Sequence, residues 1–338
     1  MAYTTIKKPS DYFNTKLYTG NGSTQSITGV GFQPDLVWGK IRNDTRKHNM
    51  YDVIRGVQQR IVPNDTVAED TVPGVTSFDS DGFTVGAETD MNQNTNTFVS
   101  WNWKANGAGS SNTDGSVTAS LSANATAGFS ISTFTTPASG TFTVGHGLGV
   151  APKFIIYRPV TSSGWQIGHD SIGWTKAVFF DTQSEQTSTA FGNTAPTTSV
   201  WTGNVANVGA NASSFAYCFA EKKGFSKFGS YTGNGSADGT FVYTGFKPAF
   251  VLIKITSTTN DWEIHDNKRG SSNVINAILQ PNVSEAESTS GREMDFLSNG
   301  FKLRNNGSQN NLSGGTFIYM AIAENPLVGT NNIPATAR

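Results

Sequence analysis

The chain has 338 residues, a formal net charge of −1 and only 14% charged residues, so it offers neither nucleic acid nor an anionic membrane a basic surface. Aromatic residues at 11% and 36 glycines exclude the composition of a disordered chain and point to short strands joined by tight turns. The single cysteine, Cys218, rules out an intrachain disulfide, and no run of about 18 apolar residues marks a membrane span. Met1 to Ser10 lacks the apolar stretch of an export signal, so synthesis in the cytosol without insertion into a membrane is the expectation.

Taken in chain order, residues 1–16 have the size of an N-terminal anchoring peptide, in which Tyr3, Ile6, Tyr12 and Phe13 could dock on a neighbouring protein. A first unit, 17–105, opens on Tyr18-Thr19-Gly20-Asn21-Gly22-Ser23, whose Asn-Gly is a hairpin signal because a type I′ turn needs positive φ. It continues with Gly31-Phe32-Gln33-Pro34 and an apolar strand, since a proline suits the first residue of a strand. Asp52 to Val62 is the only stretch expected to hold a turn or two of helix. Ser80-Asp81-Gly82-Phe83 marks a turn, and Val99, Trp101 and Trp103 alternate with Ser100 and Asn102 as in a strand packed on one side. Residues 106–127, rich in Gly, Ser and Asn, read as a flexible linker.

The same markers return twice. Pro152 and Pro248 open apolar strands as Pro34 does, and Asp52, Asp170 and Asp266 each stand 18 residues after their proline. Trp201 and Phe301 take the place of Phe83, and Phe215, Tyr217, Phe219 and Ile318, Met320, Ile322 repeat the alternating close. The opening hexapeptide recurs verbatim at Tyr231–Ser236, whereas the middle copy has Phe134-Thr135-Thr136-Pro137. Units at 17–105, 128–222 and 228–326, followed by a tail at 327–338, are the result. The expected fold is all-β: three tandem β-sandwich units, jelly-roll or lectin-like, with little helix.

No catalytic, cofactor or metal site emerges from this pattern. Asp79-Ser80-Asp81-Gly82 lacks the distal Glu of a calcium loop, and turn chemistry accounts for it. His169 and His265 precede two of the marker aspartates, but Tyr51 precedes the other, and His48 and His146 fall outside that register. Gly145-His146-Gly147-Leu148-Gly149 precedes a strand instead of opening a helix, so no helix N-terminus is there to hold a phosphate. Cys218 lies opposite an aromatic face, and no Gly-x-Ser-x-Gly elbow occurs. Glu185, Glu221 and Glu324 share no common context. Trp165 and Trp262, just ahead of the second and third aspartates, leave two readings open: core packing, or stacking on a sugar ring at a loop rim.

The opening Lys8-Pro9-Ser10-Asp11-Tyr12-Phe13, the segments Gly31–Trp38, Thr76–Phe83 and Trp101–Ala105, and the ending from Pro326 to Arg338 resemble a family of virion structural or tail-fibre-type proteins of marine bacteriophages. That resemblance implies a virion component assembled in the host cytoplasm and not an enzyme, and it carries no catalytic or ligand residues. A tail-fibre-like appendage contacting the host surface is the expected role, with a capsid decoration protein as the alternative. A glycan-binding module or a polysaccharide depolymerase is the third possibility. The implied partners are other tail or capsid proteins, a host surface glycan, and two further copies in a homotrimer, by analogy with fibrous phage appendages. No cofactor is expected.

Overall fold

The computed structural model describes residues 4–328, and within them the regular structure is almost wholly antiparallel β-strand. Three β-sandwiches follow one another. In the first, the strands Phe13–Thr19, Thr97–Trp103, Leu36–Ile41 and Asn49–Asp52 lie side by side in that order. A second sheet of Gln25–Thr28, Gly82–Val85 and Val75–Asp79 covers them. The third sandwich repeats this plan with Ser226–Thr232, Thr316–Pro326, Phe246–Ile255 and Trp262–Asp266 under Phe241–Tyr243, Gly300–Leu303 and Met294–Leu297. In the middle sandwich Phe129–Thr135, Ser213–Phe219, Phe154–Pro159 and Gln166–His169 hold the four core positions, and Thr141–Gly145 pairs with Val200–Asn204 above them.

Strand register fixes the equivalences. Leu36 lies between Trp103 and Asp52, Phe154 between Phe219 and His169, and Phe250 between Ile322 and Asp266. The middle counterpart of Asp52 and Asp266 is therefore His169 and not Asp170. The middle hairpin is one residue shorter, so a count of 18 overshoots the end of its strand. His169 is buried, whereas Asp170 is exposed and pairs with Lys153 at 2.6 Å. The aromatic marker keeps its register: Phe83, Trp201 and Phe301 oppose Ile27, Val144 and Val242.

Four further expectations change. The Asn-Gly turns at 21–22 and 234–235 join strands of two different sheets, so they carry the chain across the sandwich and do not close a hairpin. Residues 106–127 are no free linker, because Ser110–Asn112 and Ala119–Asn124 extend the middle core sheet to six strands. The first unit begins at Phe13, within the segment assigned to an anchor. Helix is found at Thr89–Asn92 and Val205–Val208, while 52–62 holds turns and the short strand Gln59–Arg60.

The alternating strands are buried on both faces, not one. Their large residues meet in a core shared by all three sandwiches, where Trp101 and Trp103 join Tyr217, Phe219, Met320 and Ile322. Their opposite faces look into the individual sandwiches. Ala216 and Cys218 sit in the middle one, and Tyr319 and Ala321 in the third. The first has its own interior around Val37, Phe83 and Met91. Apart from Tyr319, the residues on that side are small, which lets the narrower second sheet approach and makes the alternation resemble a half-exposed strand. Among the described residues, no helix is long and apolar enough to cross a membrane.

Candidate functional site on the pseudo-threefold axis

Around the shared core the sandwiches close into a ring in which each grips the next from the same register position. Asp52 of the first accepts from the hydroxyl of Tyr217 in the second at 2.7 Å. A ring nitrogen of His169 in the second meets the Tyr319 carbonyl of the third at 3.2 Å. Asp266 of the third accepts from the indole N–H of Trp101 in the first at 3.0 Å.

The two aspartates are anchored alike. Each Oδ1 accepts backbone N–H groups two and three residues on, and each Oδ2 accepts from an arginine, Arg55 or Arg269, at 2.6 Å. Burial works against the charge on Asp266, but Arg269 holds its carboxyl below the usual range. Burial pushes the Tyr217 phenol well up, so it remains a donor.

A long loop from each sandwich crosses to the next. The N–H groups of Glu69, Glu185 and Glu287 donate to the carbonyls of Val160, Thr256 and Arg42, each eight residues after a repeated proline. The carbonyls of Thr66, Thr182 and Ser284, three residues before those glutamates, accept from Ser163, Asn260 and Arg46. Beneath each crossing is a fully buried base, Lys40, Arg158 or Lys254, six residues after its proline. Lys40 donates to the Ile41 carbonyl at 2.9 Å and to Ser284 of the neighbouring loop at 3.2 Å. Arg158 reaches Val67 at 2.7 Å, and Lys254 reaches Asp181 at 3.4 Å. Burial lowers both lysines to about 8. Main-chain oxygens satisfy these cations while the loops they hold are drawn onto the ring.

Where the three loops converge, a cavity of about 570 Å³ opens. Asn64, Phe180 and Asn282, each five residues before its loop glutamate, all line it, which puts it on the pseudo-threefold axis. Asp65, Asp181, Gln183 and Gln186 supply its polar wall, and Trp165 and Phe180 its aromatic floor. Gln166 Oε1 is buried in this lining without a hydrogen-bond partner among the described residues. Burial opposes the charge on Asp65, yet Lys47 at 3.1 Å and the Thr66 and Val67 N–H groups keep its carboxyl below the usual range. Convergent amides and carboxylates suit a ligand rich in hydroxyl groups.

The residues singled out from the sequence fall elsewhere than expected. Trp165 is 2% exposed and Trp262 1%, both edge-on to Phe180, so neither presents the open ring face that sugar stacking requires. Their indole N–H groups serve the ring instead, Trp165 donating to Val62 and Trp262 to Phe179. His48 occupies the same register position in the first sandwich and is therefore inside the repeat. Ile6 and Phe13 are buried in the shared core, and Tyr12 packs on Phe225, so these three do not form an outward-facing anchor. Tyr3 lies outside the described residues.

Asp81 caps a turn by accepting from the Gly29 and Gly31 N–H groups at 2.9 and 2.7 Å. His146 closes the glycine-rich turn by accepting from the Leu148 N–H at 3.2 Å. Cys218 is buried, and its thiol is pushed up accordingly. Among the described residues no group of three or more His, Cys, Asp or Glu side chains is placed to hold a metal. The loop glutamates and the buried bases were the features missed. The bases share a constant offset from the prolines and could have been found by it. The glutamates do not, because the loops differ in length.

No curated protein and no solved structure matches the chain. One family model matches residues 8–326, from the start of the first sandwich to the last strand of the third. With all three sandwiches inside that match, the chain belongs to the family described as a domain of unknown function, DUF7483.

Proposed function

We propose that this protein is a structural component of a bacteriophage virion, a tail-fibre-like appendage that meets the host surface through the loop end of its ring. The observation that carries the reading is the closure of three sandwiches into one sealed unit with an amide-rich cavity where their loops meet. With one cysteine the chain must hold its shape outside a cell without an intrachain disulfide, and buried cross-sandwich bonds serve that need. The sequence resemblance supports the phage setting. A hydroxyl-rich host glycan is the class of ligand that fits the cavity, bound without turnover. One chain already supplies the threefold arrangement, so a native mass of a single 36.1 kDa chain is expected, and three times that value would favour a homotrimer.

Antibody labelling of intact particles tests the role. Signal at the tail is expected; signal spread over the head would replace the appendage by a capsid decoration protein, and unlabelled particles would overturn the virion reading. Incubation with host surface polysaccharide should give binding with unchanged chain length, whereas shortened chains would make the protein a depolymerase.

A further inference from the structure

The three interfaces of the ring are built to one plan but filled unequally. Between the third and first sandwiches, two arginines converge on Glu287: Arg42 in a bidentate pair at 2.9 and 2.7 Å, and Arg269 at 3.1 Å. Between the first and second, one arginine, Arg55, meets Glu69 at 2.6 Å, and Val160 holds the position of Arg42. Between the second and third there is none among the described residues. Ile172 follows His169 at the spacing by which Arg55 and Arg269 follow their aspartates, and Thr256 stands where Arg42 does. The carboxylate remains in place, since the Glu185 N–H bonds the Thr256 carbonyl at 3.0 Å as its two counterparts do. The space that two arginines fill at one interface is here a cavity of about 370 Å³, lined by Ile172, Lys176, Glu185, Tyr231, Thr256 and Phe317.

We propose that this cavity is a binding site for a guanidinium group, carried by a small molecule or by an arginine side chain of another protein. The same carboxylate, held by the same backbone bond, takes a guanidinium at both other interfaces. In the third, the planar cation pairs with Glu185, its alkyl stem lies along Ile172 and Phe317, and the Thr256 hydroxyl accepts a remaining N–H. Lys176 now pairs with Glu185, but its side chain is 42% exposed, and a flexible lysine at a partly open site yields to a bidentate fork. This inference stands independently of the virion reading.

Titration of the full chain with L-argininamide, followed calorimetrically, tests it, with L-norleucinamide as the uncharged control and a doubly capped Gly-Arg-Gly peptide as the protein-like probe. Saturable binding of argininamide or the peptide is expected, and the tighter of the two identifies the source. Glu185→Gln should weaken binding at least tenfold, Lys176→Met should tighten it several-fold, and Ile172→Arg should abolish it while raising the thermal midpoint. Melting curves verify that each variant is folded, and Lys176→Met, which removes a half-exposed lysine and its ion pair with Glu185, keeps the test open if another variant fails to fold. Failure of both probes to bind, or binding undiminished in folded Glu185→Gln and Ile172→Arg, would overturn the proposal.

Discussion

The Tyr217 hydroxyl donates to Asp52 across the boundary between the first and second sandwiches, over 2.7 Å, at the position where Trp101 donates to Asp266. The third counterpart of Trp101 and Tyr217 is Met320, which has no donor to offer. At that boundary the partner has changed as well: His169 replaces the aspartate and bonds the carbonyl of Tyr319, next to Met320. Where the donor is lost on one side, the acceptor becomes a donor on the other. The two changes together keep the ring closed.

Removing an arginine from this arrangement leaves a buried carboxylate without its counter-charge. Arg269→Met should cost about 3–5 kcal/mol, because Asp266 is wholly buried. Tyr217→Phe removes one hydrogen bond to a charged group and should cost about 1–3 kcal/mol. Urea unfolding measures both, and equal small losses would contradict the assignment of Asp266 and Arg269 as a structural pair.

Acid should loosen the ring through its histidines. Burial lowers His169 from the ordinary 6.5 to about 4, and it lowers His48 as well. Between those values the folded chain binds fewer protons at His169 than the unfolded chain does. Its contribution is therefore full above pH 6.5 and is lost as pH falls towards 4, by roughly 3 kcal/mol in all. His169→Gln can accept the Ser171 N–H and donate to Tyr319 without titrating. A variant whose stability falls over that window as steeply as the wild type's would contradict this origin.

Two repeated glycines have a steric cause. A Cβ at Gly82 would lie 1.9 Å from the Ile27 carbonyl oxygen, and one at Gly300 would lie 2.1 Å from that of Val242. At Gly314 a Cβ meets nothing within 4 Å, although φ is +72°. Gly82→Ala and Gly300→Ala should each lower the thermal midpoint well beyond the effect of Gly314→Ala, which carries only the backbone strain of about 1 kcal/mol. Three similar midpoints would show that the close approach is relieved without cost.

The repeat was legible in the sequence because its markers are local. Proline at a strand start, glycine in a tight turn and alternation along a strand leave the same trace in each copy. The ring was not legible, because the residues that build it meet across sandwiches. The loop glutamates stand at unequal distances from their prolines, and an aspartate 18 residues after Pro152 concealed the histidine that holds the structural position. The cavity escaped for the same reason, since Asn64, Phe180 and Asn282 share a place in the ring but stand at unequal distances from their prolines. Trp165 and Trp262 invited a surface role because an aromatic beside a turn looks alike whether its turn faces solvent or a neighbouring sandwich.

Trp262 offers a direct comparison of the core and glycan readings. It does not line the axial cavity, and its ring packs on Phe180. Trp262→Ala should destabilise the chain by about 3–5 kcal/mol through the space it leaves. Sugar affinity lost with stability unchanged would instead make the indole a ligand platform.

Small-angle scattering from the purified chain tests the central claim, that three sandwiches close into one ring within a single chain. A compact particle of 338 residues has a radius of gyration of about 20 Å. The closed ring predicts that value at the mass of one chain. A radius well above it at the same mass, as three sandwiches strung in a row would give, would contradict the ring.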